Sequence, residues 1–331
     1  LIGGFIVDTT SWRWIFYVNL PIGGLALLVI LITMPKRPYR QEHSIDWLGA
    51  GVLALGTTSL LLGLVWGGRD YPWGSAEVLG ALAASVVLLA VFALVERRVR
   101  EPILPFDLLH NQTVASSVAC MAFVGMAMFG TISFVPLFVQ GVIGTSATSS
   151  GVVLTPLILG AVVTSFVSGQ IVSRTGRYRP NTLIGPVVLG IGELMLWRLG
   201  VNATNGEAAR AMVIAGIGLG MMMQIFVLSI QNSVARAQIG TVTGAMNFFR
   251  SLMSSFTVAA FSAILLMALG AGISLGEHRG PANAIPVADM ITAFHYVFGA
   301  ATALLACAAL CIIAMEERPL AGPSTPAEMA E

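Results

Sequence analysis

The charged residues of this sequence lie in short segments that are separated by long uncharged stretches. The longest stretch runs from Asp107 to Arg174, and several others exceed the roughly 20 apolar residues that a helix needs to cross a bilayer. Only 10% of the 331 residues are charged and 56% are hydrophobic, whereas soluble domains average about 25% charged and about 45–50% apolar residues. The net charge of +1 offers no patch for a polyanion. These features argue against a soluble enzyme, a disordered chain and a nucleic-acid-binding protein, and they predict a polytopic membrane protein.

The apolar stretches are continuous rather than alternating, which predicts membrane-spanning helices and not the strands of a β-barrel. The longest stretch divides into two spans at the Gly- and Ser-rich segment 141–151. We therefore predict an all-α polytopic membrane protein with nine complete transmembrane helices and the tail of a tenth at residues 1–7. Because the chain opens at Leu1 within an apolar segment, we expect an N-terminally truncated fragment. The nine predicted spans cover residues 15–34, 47–67, 77–95, 114–138, 151–172, 180–200, 210–230, 243–269 and 291–314.

The basic residues predict the orientation of these spans. The alternating loops and the span ends beside them divide the 17 Lys and Arg residues into a set of twelve, with Arg250 near the start of the span 243–269 among them, and a set of five. The positive-inside rule assigns the larger set to the cytoplasmic side. The C-terminal tail from Glu316 is then cytoplasmic, and the loop at Trp12–Trp14 lies outside. In this topology Trp66, Tyr71 and Trp73 cluster at an outer interface, as aromatic belts do.

Glycine spacing and the lack of catalytic patterns bear on enzymatic function. Gly216, Gly218 and Gly220 lie inside a predicted span, which favours close helix packing rather than dinucleotide binding. Gly240 and Gly244 are likewise expected at a close helix contact. No paired carboxylates, metal-ligand spacing, Ser/His/Asp set or phosphate-binding loop stands out. We therefore expect no enzymatic activity, no metal and no cofactor.

The opening of the chain carries the most specific motif. Leu1–Gly4 is followed by Trp12–Gly23, which reads Trp-Arg-Trp-Ile-Phe-Tyr-Val-Asn-Leu-Pro-Ile-Gly. The two segments resemble the end of helix 5 and the start of helix 6 of the major facilitator superfamily, and more narrowly its 14-helix drug:proton antiporter branch. Gly3 and Gly4 match the last two glycines of the branch's antiporter motif, Gly-Pro-x-x-Gly-Gly, and Arg13 lies between tryptophans where it can snorkel and stack. The resemblance implies that these three residues belong to motifs that take part in the conformational change. The alternative is that they serve only to pack and anchor the helices.

Two predicted spans between residues 47 and 95 indicate the domain arrangement. They lie where twelve-helix facilitators have a long cytoplasmic loop, and they resemble the two inserted helices of the 14-helix branch. The resemblance therefore implies a major facilitator fold. The expected domains are residues 1–34, the end of the N-terminal bundle with the helix 5 tail and helix 6; residues 35–106, a cytoplasmic loop and two inserted helices; residues 107–315, the C-terminal six-helix bundle; and residues 316–331, the cytoplasmic tail.

Two later segments extend the resemblance. Gly169–Arg179 is similar to the superfamily's cytoplasmic loop pattern, Gly-x-x-x-Asp-Arg-x-Gly-Arg-Arg, but Ser173 replaces the acid, so a salt-bridge latch is not expected. An ordinary positive-inside turn is the alternative. Residues 247–251 are similar to the penultimate helix of the branch. The conformational motif residues implied by these segments are Gly169, Arg174, Gly176, Arg177, Asn247 and Arg250.

The resemblance implies secondary active transport, with proton-coupled multidrug efflux by alternating access between two six-helix bundles. The family's helix-1 acid and helix-4 arginine would lie before Leu1, so residues 1–331 alone are expected to be inactive. The implied partners are lipophilic small molecules, cationic ones among them, protons, membrane lipid and the missing N-terminal bundle of the same chain. The proton gradient supplies the energy without a cofactor, and the implied setting is drug resistance at a bacterial cytoplasmic membrane. A facilitator for a specific metabolite and a non-transporting membrane protein are the alternatives.

The cavity walls of the family imply where a substrate binds. Soft Met and flat Phe surfaces with a few amides suit varied lipophilic molecules, although Met and Phe in a membrane helix more often face lipid or packing partners. Glu193 is the one acid well inside a predicted span and is therefore the proton-coupling candidate; a partner at Arg198 or water near the outer side is the alternative. The substrate-binding candidates are Met126, Phe129, Phe134, Phe138, Gln140, Met223, Gln224 and Phe226.

Overall fold

The computed structural model describes residues 2–33, 46–68, 70–99, 103, 112–176, 179–232, 239–269 and 286–313. Within these ranges the chain is helical and contains no β-strand. The fifth helix continues into one π-helical turn at Val139–Ile143. The helices are α1 Ile2–Thr9, α2 Trp14–Thr33, α3 Trp47–Trp66, α4 Ala76–Glu96, α5 Gln112–Phe138, α6 Ala147–Thr175, α7 Arg179–Trp197, α8 Asn205–Asn232, α9 Ile239–Leu269 and α10 Val287–Ile313.

Most of the helices fall where the uncharged stretches of the sequence place them, whereas α7 contains the charged residue Glu193. Each of the nine predicted spans coincides with one of the helices α2–α10, and most residues of the predicted tail belong to α1. Among the described helices, seven are long and apolar enough to cross a membrane, namely α2, α3, α4, α5, α6, α9 and α10. The all-helical class is thereby confirmed, and the count of nine complete spans stays a prediction.

Helices α3 and α4 form an antiparallel hairpin. The side chain of Leu89 lies over Gly56 and that of Leu82 lies over Gly63, so that a Cβ atom at these glycines would be 3.0 and 2.9 Å from the leucine side chains. The residue order of the two pairs runs in opposite directions along the helices, which defines the antiparallel packing. The two glycines therefore let α4 approach α3 closely.

The turn between α3 and α4 is built on two glycines and a group of aromatic rings. Gly68 has a φ of 77°, a left-handed conformation that favours glycine. The ring of Trp73 lies against Gly67 and Gly68, where a Cβ atom would clash with it at 2.6 and 2.7 Å. Trp66 and Tyr71 form an edge-to-face pair with centroids 6.0 Å apart. The three aromatic residues thus lie together at one end of the hairpin.

The first four helices differ in how much of their surface is covered. Leu53 and Phe92 of the hairpin are buried in a small apolar cluster, and Phe248 and Phe249 of α9 pack against them. In contrast, α2 has no buried residue, and its main contact is with α1. The hairpin is therefore docked on the bundle, whereas the apolar side chains of α2 are exposed along its length.

Helices α5–α10 enclose one hydrophobic core. Its aromatic centre pairs Phe134 with Phe261, and Phe138 with Phe294 and Phe298, in edge-to-face arrangements. The ring centroids of these three pairs are 5.4–5.9 Å apart, which is the favourable range for aromatic pairs. The cluster ties α5 to α9 and α10.

Helix α8 packs tightly between α6 and α7 because its glycines leave room for the neighbouring backbones. A Cβ atom at Gly216 or Gly220 would lie 2.3 or 2.4 Å from carbonyl oxygens of α6, and one at Gly218 would lie 2.3 Å from a backbone nitrogen of α7. Residues two apart on a helix point to nearly opposite sides, so alternate glycines serve the two neighbours. The predicted close packing is confirmed here. At Gly240 and Gly244 a Cβ atom would meet no described atom within 4 Å, so the expected close contact is not seen there.

Candidate functional site

A groove with a volume of about 240 Å³ lies between α5, α8 and α9. Its largest wall is one face of α5, whose lining residues recur at intervals of three and four along the helix. Helix α8 supplies two apolar side chains and α9 supplies a single residue. The lining consists of Met121, Val124, Gly125, Met128, Phe129, Ile132, Leu219, Met222 and Arg250.

Arg250 is the one polar side chain in the described lining of this groove. Its stem crosses close to Gly125, where a Cβ atom would lie 3.5 Å from Arg250 Cγ. Arg250 lies eleven residues after Ile239, the first residue of α9, which is about 16 Å along the helix axis. This position falls within the apolar span Thr243–Leu269. No hydrogen bond or ion pair joins Arg250 to another residue in the described part of the chain.

The sequence-based substrate candidates on α5 separate into different environments. Phe129 lines the groove and is 42% exposed. Met126 is half-buried and does not belong to the lining. Phe134 and Phe138 are each only 1% exposed because they pack in the aromatic core, away from the groove. Gln140 is exposed in the π-helical turn beyond the end of α5.

The candidates on α8 fall largely outside the described side chains. Met223, Gln224 and Phe226 lie on α8, and the structure describes no side-chain position for them. Their neighbour Met222 is buried and lines the groove. Met121 and Met128 also line it, and they are not among the sequence-based candidates. Their spacing from Phe129 along a helical face is the signal that could have found them.

Glu193 lies on α7 and is fully buried in the bundle core. The hydroxyl of Thr131 is 2.5 Å from Glu193 Oε1 and 3.0 Å from the carbonyl oxygen of Ala127. Arg198, the partner that the sequence suggested, is exposed at the end of α7, and no bond between the two is present among the described residues. The long side chain of Glu193 thus reaches across the core from α7 to α5.

The hydrogen bonds around Glu193 fit a neutral carboxylic acid. Thr131 has one hydroxyl proton and two acceptor oxygens within reach. If Glu193 Oε1 carries a proton and donates it to Thr131 Oγ1, then Thr131 can donate its own proton to Ala127. Glu193 Oε2 is buried without a hydrogen bond among the described residues, and an unpaired oxygen is far less costly on a neutral acid than on a carboxylate.

The opening motif contacts the bundle where α1 ends and α6 begins. A Cβ atom at Gly4 would lie 2.6 Å from the carbonyl oxygen of Ala147, so glycine is what lets the two backbones meet. Asp8 accepts hydrogen bonds from the backbone N–H of Thr148, at 2.9 Å, and from its hydroxyl. These bonds hold the pKa of the exposed Asp8 carboxyl below its ordinary value. Gly3 meets nothing within 4 Å.

The remaining conformational motif residues are mostly exposed. The Arg13 guanidinium stacks over the ring of Trp12, 5.3 Å from its centroid. Asn247 is exposed, and its side-chain amide donates to the carbonyl of Thr243 at 3.0 Å. Arg174 lies in the last turn of α6, where a cation is favoured by the helix dipole.

The end of α6 explains one glycine of the cytoplasmic loop pattern. Gly176 has a φ of 67°, and its N–H donates to the carbonyl of Val172, which caps the helix in a left-handed conformation. Gly169 is exposed and meets nothing within 4 Å. Arg177 lies outside the described residues.

Among the residues that are described, no group of three His, Cys, Asp or Glu side chains could hold a metal ion.

Known proteins are similar to this chain over most of its length. Residues 1–258 match the family described as Major Facilitator Superfamily. The multidrug transporter protein MdtP of Bacillus subtilis is 36% identical over 264 residues, which are 80% of this chain and 49% of the relative. The multidrug resistance protein 3 of the same organism is 31% identical over 264 residues, which are 80% of this chain and 51% of that protein. The efflux pump aunC of Aspergillus niger is 33% identical over 281 residues, which are 82% of this chain and 53% of that protein. The chain thus spans about half the length of these relatives.

Proposed function

The chain belongs to the major facilitator superfamily, and from this membership we propose that the whole protein is a secondary active transporter that exports lipophilic small molecules by alternating access. The observation that carries the proposal is the groove between α5, α8 and α9, whose described lining is apolar apart from Arg250. Its largest wall belongs to α5, which is long and apolar enough to cross a membrane, as α9 is. Phe129 and Ile132 on its wall are 42% and 38% exposed, so they are available to a ligand. The names of the relatives support multidrug efflux, and a family of transporters argues against an enzyme.

Alternating access needs a second bundle across the groove. We assign residues 1–34 to the end of that bundle, because α2 has no buried residue and α1 makes its main contact with α6. Residues 107–315 are then the C-terminal six-helix bundle. We assign the hairpin α3–α4, within residues 35–106, to the insertion of the 14-helix branch. The packing of this hairpin on α9 supports the assignment. The cytoplasmic membrane of a bacterium, with residues 316–331 inside, is the proposed location.

We assign the contact between α1 and α6 to the outer side of the membrane. In the topology that the basic residues predict, α1 ends and α6 begins outside. Gly4 and Asp8 there bring the proposed N-terminal bundle against the C-terminal bundle. This contact would close the groove from the outside in the conformation that the structure represents.

Proton coupling at Glu193 is a further part of the proposal. A coupling acid has to hold a proton in one state of the cycle, and the hydrogen bonds around Glu193 fit a held proton. The variant Glu193→Gln keeps the shape and can still donate to Thr131, but it has no proton to release. We expect normal folded yield and no efflux driven by a proton gradient. Unchanged gradient-driven efflux from this variant would dismiss Glu193 as the coupling residue.

The proposed function is tested by dye efflux from cells that express the whole protein. Cells loaded with Nile red are energised, and the proton gradient is then collapsed with a protonophore. We expect efflux that exceeds that of control cells and that stops on collapse, whereas residues 1–331 expressed alone should give none. Efflux that continues after collapse would contradict proton coupling. No efflux of Nile red or of other lipophilic dyes would contradict multidrug export, and it would favour a facilitator for a specific metabolite or a non-transporting protein.

A further inference from the structure

Arg250 gives the groove a chemical preference that its apolar lining alone does not. We propose that the groove binds molecules with an apolar body and one anionic, oxygen-bearing group, which pairs with the Arg250 guanidinium. This preference rests on the proposed function, since it names the substrate class of the same groove. It differs from the lipophilic cations that the sequence suggested.

The position of Arg250 creates the need for an anion. The residue lies within the apolar span Thr243–Leu269 and lines a groove whose other described residues are all apolar. A guanidinium at membrane depth is costly unless it has a partner. In the described part of the chain no carboxylate is bonded to it. A ligand that brings its own anionic group would satisfy the cation.

The chemistry of the guanidinium selects the kind of ligand. Arginine stays charged at all physiological pH values, and its planar fork of N–H donors matches the paired oxygens of a carboxylate or phosphate. A lipophilic cation of the same shape would meet a like charge in a medium of low dielectric constant, where repulsion is strong. The groove should therefore favour an acid over the matching amide, and the amide over the matching ammonium.

The rest of the lining fits the apolar body of such a ligand. Met121, Met128 and Met222 offer flexible, polarisable surfaces that adapt to varied shapes. Phe129 offers a ring face that is partly exposed. The volume of about 240 Å³ lies just below the usual range of ligand pockets, which is about 300–1,000 Å³. This size suits a body of one or two rings.

The test uses three probes that share one naphthalene body and differ only in charge. Naphthalene-1-acetate is the anion, naphthalene-1-acetamide is neutral, and naphthylmethyl-trimethylammonium is the cation. Their uptake is measured in energised inside-out vesicles that contain the whole protein. We expect the wild-type protein to move the anion at least about tenfold faster than the ammonium, since a hydrogen bond to a charged group changes binding by about tenfold or more.

Variants of Arg250 identify the residue responsible. Arg250→Met should lower uptake of the anion about tenfold and leave uptake of the amide within about twofold of wild type, and Arg250→Lys should restore part of the anion uptake because it keeps the charge. The matched control is Arg210→Met, which makes the same change at an exposed position near the start of α8 and should leave all three probes unaffected. Size-exclusion profiles confirm that each variant is folded, and if Arg250→Met is not, Arg250→Gln is used for the same comparison.

Each other outcome has a distinct meaning. A folded Arg250→Met protein that loses all three probes alike would show that Arg250 pairs within the protein, which overturns the proposal. Wild-type transport of the ammonium in preference to the anion would overturn the anionic class while the transport function stands. Failure of the wild type to move any naphthalene probe or Nile red would overturn the proposed function, and the substrate class with it.

Discussion

Arg250 and Glu193 are both ionisable residues in the apolar helices of one bundle, yet their surroundings are opposite. Arg250 lines a groove and is bonded to no other described residue. Glu193 is fully buried and hydrogen-bonded to Thr131 across the core. A lone charge in either place would be costly. The groove leaves Arg250 open to a ligand, whereas the core encloses Glu193 on every side and offers it the hydroxyl of Thr131. Access to the groove, rather than charge alone, therefore separates the proposed ligand-binding residue from the enclosed one.

The largest expected effect comes from reversing the charge at each position. Glu193→Lys would place an ammonium in the core without a partner, and we expect a loss of about 3–5 kcal/mol in the free energy of unfolding, or no folded protein at all. Arg250→Glu changes a residue that borders open space, so its stability should stay within about 1 kcal/mol of wild type. Thermal unfolding of the purified whole protein measures both. Equal destabilisation by the two variants would remove the distinction between an open and an enclosed site.

A smaller effect is expected when Glu193 loses its partner. Thr131→Val keeps the size of the side chain and removes the hydroxyl, which leaves a second oxygen of Glu193 without a hydrogen bond. We expect a loss of about 1–3 kcal/mol in the free energy of unfolding. Thr131→Ser retains the hydroxyl and is the matched control, with a loss of less than about 1.5 kcal/mol from the removed methyl group. If Thr131→Val and Thr131→Ser lower the free energy of unfolding by the same amount, the hydrogen bond does not stabilise the core.

Much of the fold could be predicted because membrane helices are bounded by charges. The gaps between charged residues gave the positions of most of the helices α2–α10, since uncharged segments of this length have no other stable form in a bilayer. The span at α7 was instead predicted across Glu193. The close packing predicted at Gly216, Gly218 and Gly220 is also present. Residues two apart on a helix face nearly opposite sides, so these glycines serve two neighbouring helices in turn. Among the described residues no such contact is present at Gly240 and Gly244, because small residues permit a close helix contact but do not require one.

The site was harder to predict because a helix that is apolar all round does not show which side faces the core. Phe129, Phe134 and Phe138 share one helix and one residue type, yet only Phe129 lines the groove. The bond between Glu193 and Thr131 joins residues 62 positions apart on different helices, and no local pattern signals it. Arg250 was assigned to a motif by resemblance, and its place in the groove follows only from how α9 packs against α5.

The contrast between an open groove and an enclosed core is tested most directly by the accessibility of positions 129 and 134. Each is replaced with cysteine in a whole-protein background that lacks native cysteines, including Cys120, Cys307 and Cys311, and reaction with a membrane-permeant fluorescent maleimide is followed. We expect rapid labelling of Phe129→Cys that naphthalene-1-acetate slows, and no labelling of folded Phe134→Cys, because Phe134 is only 1% exposed. Equal labelling at both positions would show that the two sites do not differ in access, and labelling of Phe129→Cys that the anion does not slow would show that the anion does not bind in the groove.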